Sequence, residues 1–249
     1  MNQRPPGPGM KVKIEMDMNP QPKTFSVRML IVMLFALVVI PFLPLLITGR
    51  WDWWEAWIYA GIWILGAVVS RALAARRHPD LIVERALFMR HKNEKPWDRI
   101  LSPLVGLGGG LIPLVAGLEA RFDPSFACGP PIKIVSLAVI LAGYSLASYA
   151  LIENRFFSAL VRIQTDRGHR VVSSGPYRWL RHPGYAGALM SFWATPPWLD
   201  SWWAFIPAAL VMAVLVIRTL LEDETLRKEL DGYDDYARRV RYRLLPGVW

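Results

Sequence analysis

One cysteine, Cys128, stands in 249 residues, which excludes an internal disulfide and leaves no cysteine cluster for zinc. Histidine is nearly as scarce: His78, His91, His169 and His182 are dispersed and lack carboxylate or cysteine partners at ligand spacing, so no metal is expected. Acidic residues are outnumbered, 20 against 29 Lys and Arg. The Gly106–Gly110 run, GLGGG, has no strand before it, so it does not read as a phosphate loop. Its missing side chains suit close helix packing instead. The first 26 residues are polar and proline-rich without an apolar h-region, and the first hydrophobic run is too long for a cleaved signal. Residues 1–26 are expected to be a disordered cytoplasmic tail. No repeat with a period of 20 to 50 residues is apparent.

Apolar length is what the chain has in abundance. Hydrophobic residues make up 53% of it, with 12 Trp and a mean hydropathy of +0.26. Uncharged windows of about 20 residues, enough to cross roughly 30 Å of hydrocarbon as a helix, recur along it. The net charge of +9 does not point to nucleic acid, because the positive residues fall between apolar spans, as in a polytopic membrane protein facing anionic headgroups.

In chain order, the first helix is expected over Met29–Thr48, kinked at Pro41 and Pro44, and the second from Trp53 to about Ala75 after the aromatic link GRWDWW. Eight Lys or Arg between Arg71 and Arg99 mark a cytoplasmic connection. Within it Leu81–Met89 is apolar but too short to span, which predicts an interfacial helix. Spans three and four are expected over about Ile100–Leu118 and Ile132–Ile152, without buried charge. A further thirty residues, to His182, hold six arginines. Two shorter runs, Tyr185–Leu199 and Trp202–Leu221, then predict a hairpin whose first arm is broken or tilted. The fold class is all-α, a polytopic bundle of about six transmembrane segments with both termini cytoplasmic.

Two stretches carry chemistry. Between Gln164 and Tyr185, Pro176 and Pro183 force non-helical backbone before them, and Gly168, Gly175, Gly184 and Gly187 allow close backbone approach. Tyr177, Trp179 and Tyr185 lie between. Such a segment could wrap a flat polar ligand, but an ordinary arginine-rich inner loop would look the same. Arg218 and Glu222 share one helical face, and Arg218 follows seventeen uncharged residues, where an unpaired charge is costly. It needs a partner, and with Glu222 it could hold a zwitterionic cofactor beside an anionic substrate.

GPYRWLRHPGY at Gly175–Tyr185, the hydrophobic hairpin, RTLLED at Arg218–Asp223, then Tyr233, Tyr236 and RVRYRLLPG at Arg239–Gly247, resemble the isoprenylcysteine carboxyl methyltransferase family and its phospholipid methyltransferase relatives. The resemblance covers about the last 100 residues and marks 153–249 as a methyltransferase region, which follows the tail and the four transmembrane helices over 27–152 with their basic connection at 76–99. It implies S-adenosylmethionine as cofactor, lined by Gln164, His169, Arg170, Val171, Val172, Tyr177, His182, Pro183, Gly184 and Tyr185 and contacted by Glu222. Arg218, catalytic together with Glu222, would face a lipophilic or lipid-linked substrate arriving from the bilayer. The acidic pair departs from the family in being Glu222-Asp223 rather than two glutamates, and Asp223 is expected to solvate the helix end. Arg218 favours an anionic acceptor, by orienting a carboxylate or a phosphate; a carboxylate needs no general base near neutral pH, whereas an ammonium headgroup must first lose a proton. Other readings are a phospholipid N-methyltransferase, an NADPH-dependent sterol-reductase-like enzyme, and a non-catalytic membrane protein.

Overall fold

The structure is a computed structural model that describes residue 31 and residues 34–86 and 93–249. The expected disordered tail, the start of the first helix, the far end of Leu81–Met89 and His91 lie outside the described residues. Among these the chain is all-helical. A π-helical turn, Phe35–Val39, leads into α1, Ile40–Thr48. Pro41 has no N–H for the Leu37 carbonyl, so the helical ladder is broken near the place where a kink was expected. Gly49, at φ 68°, closes α1 by returning its N–H to the Leu45 carbonyl at 2.9 Å.

There follow α2 (Trp54–Arg77), the short α3 (Pro79–Ala86), α4 (Asp98–Phe122) and α5 (Pro130–Glu153). An irregular stretch then carries two 3-10 turns, Thr165–Arg167 and Gly175–Arg178, before α6 (Pro183–Trp198), α7 (Phe205–Glu229) and α8 (Tyr233–Arg239). Four helices, α2, α4, α5 and α7, are long and apolar enough to cross a membrane. With 16 residues, α6 rises about 24 Å, short of the roughly 30 Å of hydrocarbon. The protein is a polytopic helical membrane bundle. Its remaining apolar segments, α1 with its π turn and α6, are the shorter ones. Large apolar side chains left exposed, among them Leu65, Val69, Leu107, Ile134 and Leu210, coat its outside as lipid contact requires.

The run GLGGG is a packing device. A Cβ on Gly108 would lie 2.9 Å from Val211, one on Gly109 3.2 Å from Phe192, and one on Gly110 3.3 Å from Ile40. Three successive glycines of α4 thus admit α7, α6 and α1. Closer still, a Cβ on Gly187 would lie 2.3 Å from the Gly143 carbonyl oxygen, so α5 and α6 meet backbone to backbone. The hairpin arms accordingly lean on different neighbours, α6 chiefly on α5 and α7 on α4, while still touching each other.

Two expectations need correction. α7 runs eight residues past Leu221, because Glu224 with Lys228 (2.5 Å) and Asp223 with Arg227 (3.4 Å) form i,i+4 pairs that sustain helix beyond the apolar stretch. Charges are also buried in the early helices. Near the tryptophan-rich turns, Lys133 of α5 binds Glu55 of α2 and, at 2.6 Å, Asp200, while Glu119 of α4 accepts from Ser201 and from the N–H groups of Trp202 and Trp203 at 3.1 and 2.9 Å. A buried ion is tolerated when paired and hydrogen-bonded, so these charges fasten helix ends to turns.

Candidate active site

At the arginine-rich end, the chain leaves α5 at Asn154, whose side-chain oxygen accepts the Phe156 N–H at 2.8 Å and starts the irregular stretch. That stretch cannot close on itself, and the C-terminal segment holds it. The N–H groups of Arg181 and His182 donate to the carbonyls of Tyr242 and Arg243 at 2.9 and 3.0 Å, and the Tyr236 hydroxyl donates to the Tyr177 carbonyl at 2.8 Å.

Asp223 fastens this closure. Only 1% exposed, it accepts from Arg181 (2.7 and 3.0 Å), Tyr233 (2.9 Å) and Arg243 (2.9 Å), with His182 at 3.4 Å. The expected solvating role is therefore wrong: one carboxylate ties the loop, α7 and the C-terminal segment together, since in a buried place each guanidinium needs an anion.

One residue earlier on α7, Glu222 points elsewhere. It accepts the Tyr185 hydroxyl at 2.6 Å, and Tyr185 in turn stacks on His182, the rings 3° from parallel with centroids 5.7 Å apart. Arg218 lies over the other side of the network, 5.3 Å from the Tyr185 ring centroid. Its ionic partner is Asp98 at the start of α4, through Nε–Oδ1 at 2.7 Å and Nη2–Oδ2 at 3.0 Å, and Nη2 also donates to the Ala159 carbonyl at 3.0 Å. Asp98 is wholly buried and accepts the Val161 N–H at 2.6 Å as well. The partner that Arg218 needs is thus 120 residues away, not four.

These groups border a cleft that opens to the outside of the protein. Of the residues expected at the site, Gln164, His169, Arg170, Val171, Val172, Tyr177, His182, Gly184, Tyr185, Arg218 and Glu222 all line it. Pro183 does not: it is buried as the first residue of α6, where a missing N–H costs nothing. Reading motif by motif missed Phe157, Arg162, Tyr233 and Tyr236 on the same walls. The tyrosines could have been found, since both stand in the aromatic basic tail.

Two wall residues have particular states. Gln164 spends both ends of its amide within the protein, donating to the Phe156 carbonyl at 2.8 Å and accepting from Arg167. His169 accepts the Gln164 N–H on Nδ1 at 3.3 Å and lies on the Phe156 ring. Burial lowers its pKa from 6.5 to about 4, with Arg162 and Arg167 pushing the same way, so it is a neutral acceptor at neutral pH.

The phospholipid methyltransferase family model matches residues 132–231. A probable protein-S-isoprenylcysteine O-methyltransferase of Oryza sativa subsp. indica is 26% identical over 189 residues, 75% of this chain and 93% of the relative. Protein-S-isoprenylcysteine O-methyltransferase B of Arabidopsis thaliana is 31% identical over 107 residues, 42% of this chain and 54% of the relative. The resemblance to the isoprenylcysteine carboxyl methyltransferase family holds. These matches support a membrane methyltransferase, and the match over 132–231 includes the loop, α6, Arg218 and both acids of the Glu222-Asp223 pair. A Delta(14)-sterol reductase of Mus musculus is also similar, 26% identical over 153 residues, 55% of this chain and 36% of the relative.

Proposed function

We propose that the protein is an S-adenosylmethionine-dependent, isoprenylcysteine carboxyl methyltransferase-like enzyme that methylates a lipophilic acceptor, a carboxylate by preference. The observation that carries this reading is the convergence of Tyr177, His182, Tyr185, Arg218 and Glu222 on one cleft at the arginine-rich end. A cationic ligand with a flat heterocycle suits that cleft: Glu222 is a half-buried carboxylate that accepts, among the described residues, a single hydrogen bond, from Tyr185, and aromatic rings attract cations by their faces. Glu222, Tyr177, His182, Gly184 and the 169–172 backbone would hold the cofactor. When bound, it supplies an electrophilic methyl on a positively charged sulfur, whose charge is lost as the acceptor oxygen takes the methyl.

The protein's own contribution is placement and exclusion of water. Tyr185, fixed by its bond to Glu222 and by the stacked His182 ring, sets the floor; Arg218, clamped by Asp98, keeps its Nη1 group without a hydrogen bond among the described residues. That free edge is the donor available to an acceptor oxygen. With the arginine-rich end cytosolic, as the charge bias favours, the cofactor enters from water and the acceptor sideways from the bilayer.

The test is equilibrium binding of S-adenosylmethionine to the purified full chain, followed by incubation of labelled cofactor with total lipid and protein extracts. Saturable binding weakened in Glu222→Gln, with label entering one fraction as a base-labile ester, is the expected result; binding that Glu222→Gln and His182→Ala leave intact defeats the site assignment. Label in aminophospholipid would select N-methylation instead. The similarity to a sterol reductase keeps one further alternative specific: saturable NADPH binding without response to the methyl donor would favour it.

A further inference from the structure

The lining of the cleft holds four arginines against one carboxylate, Glu222, among the described residues. Three of the arginines are held by acids of their own. Arg162 binds Glu84 at 2.9 Å and Asp166 at 2.7 Å, Arg181 binds Asp223 at 2.7 Å, and Arg218 binds Asp98 at 2.7 Å. His182 also faces Asp223, at 3.4 Å. Two ions of opposite sign are left over, Arg170 and Glu222. Among the described residues Arg170 has no ion pair or hydrogen bond from its side chain, and Glu222 has no ion pair, only the Tyr185 hydroxyl at 2.6 Å.

Arg170 has a fixed base and a free head. Just before it, Gly168 closes the Thr165–Arg167 turn at φ 63°, returning its N–H to the Thr165 carbonyl at 3.1 Å, and the His169 ring lies on Phe156. Just after it, Val171 packs against the cluster of Leu230, Tyr233 and Tyr236. The chain is thus pinned on both sides of residue 170, while its side chain is exposed. A guanidinium fixed on a cleft wall without an acid offers its planar fork to an oxyanion. Glu222 narrows the choice, because a polyanion would be repelled by that carboxylate and a plain cation would leave Arg170 unused. A zwitterion uses both.

We infer that the Arg170 side chain receives the α-carboxylate at the amino-acid end of the methyl donor, while Glu222 attracts the donor's positive groups. The inference rests on the methyltransferase reading and adds a specificity-determining side chain to it: the cleft selects an adenosyl amino acid over the same sulfonium without its carboxylate. Arg218, 6% exposed and clamped by Asp98, is left to the acceptor arriving from the bilayer, and Arg170, exposed, to the ligand arriving from water. An exposed contact of this kind is weakened by salt.

The experiment is equilibrium binding to the full chain in phosphatidylcholine nanodiscs, without acceptor, of S-adenosylmethionine, its decarboxylated analogue and methylthioadenosine, which lacks the amino-acid end altogether. S-adenosylmethionine should bind about tenfold tighter than the decarboxylated analogue, the scale of one charge-assisted contact, and the ratio should shrink at high salt. Arg170→Gln should bring S-adenosylmethionine down to the level of the analogue while leaving the analogue and methylthioadenosine unchanged, and Arg170→Lys should keep part of the preference. Neither variant should move the unfolding midpoint, since the side chain holds nothing in the protein. Equal affinity for S-adenosylmethionine and the analogue in the unaltered protein overturns the inference, as does a preference that Arg170→Gln leaves intact. So does an equal weakening of all three ligands in Arg170→Gln, which would make the residue a support of the loop. Failure of all three to bind defeats the methyltransferase reading and the inference with it, whereas binding without preference defeats the inference alone.

Discussion

Glu222 and Asp223 are neighbours on α7, yet they belong to different regions. Asp223 belongs to a latch in which Arg181, Tyr233 and Arg243 donate to one buried carboxylate. Glu222 belongs to the cleft lining, with one hydrogen bond among the described residues, from Tyr185. The difference is saturation. A carboxylate whose lone pairs are all taken by its own chain holds structure together, and one with capacity to spare faces a ligand. Successive helix positions are turned by about 100°, which is how adjacent acids reach such different surroundings.

Neutralising each acid should break the comparison in opposite ways. Asp223→Asn strands two guanidiniums at the latch, those of Arg181 and Arg243, so it should cost about 3–5 kcal/mol, the usual penalty for half a buried pair; a chemical unfolding curve in detergent reads this, and cofactor binding should fall with the fold. Glu222→Gln, nearly isosteric, should leave the unfolding midpoint almost unchanged while weakening S-adenosylmethionine about 10- to 100-fold, the scale of a lost charged contact. Should Glu222→Gln unfold the protein, or Asp223→Asn leave it stable, the division into latch and cleft is wrong.

Asp98 sharpens the comparison from the cleft side, since it clamps Arg218 and accepts the Val161 N–H, and both of those residues line the cleft. Asp98→Asn keeps the second role and weakens the first. Turnover should drop about tenfold, with cofactor affinity held within about twofold, as expected when a positioning contact felt in the transition state is lost. Asp98→Glu should recover part of the rate, and equal losses in turnover and cofactor binding would make Asp98 merely structural.

How much of this was legible beforehand follows from how far each interaction reaches along the chain. The spans are local facts, written in uncharged windows, and the packing role of GLGGG followed from the lack of any strand near it. The cleft residues from Gln164 to Tyr185 were legible because the motif keeps them together, and Arg218 with Glu222 because a helix face does. Partner choice was not legible. Asp98 meets Arg218 across 120 residues, and Lys133 meets Glu55 across 78. Such pairs depend on how each helix is rotated in the bundle, which mean hydropathy does not encode. Asp223 was misread for a related reason: at the end of an apolar run a carboxylate looks solvated until the tail carrying Tyr233 and Arg243 folds back over it.

The mildest test concerns His169 on the cleft wall. Its pKa is lowered from 6.5 to about 4, by burial first and then by Arg162 and Arg167. Between those values the unfolded chain binds a proton that the folded chain refuses, so the stability tied to neutral His169 is complete above pH 6.5 and is lost as pH falls toward 4. Partial exposure limits the effect to about 1–2 kcal/mol. His169→Gln still offers Gln164 an acceptor without gaining a proton, and it should flatten the fall in unfolding midpoint between pH 6.5 and pH 4. An unchanged acid limb in that variant would mean that the loop is destabilised through other groups, with Asp166, whose pKa is lowered chiefly by its hydrogen bond from Arg162, the next to substitute.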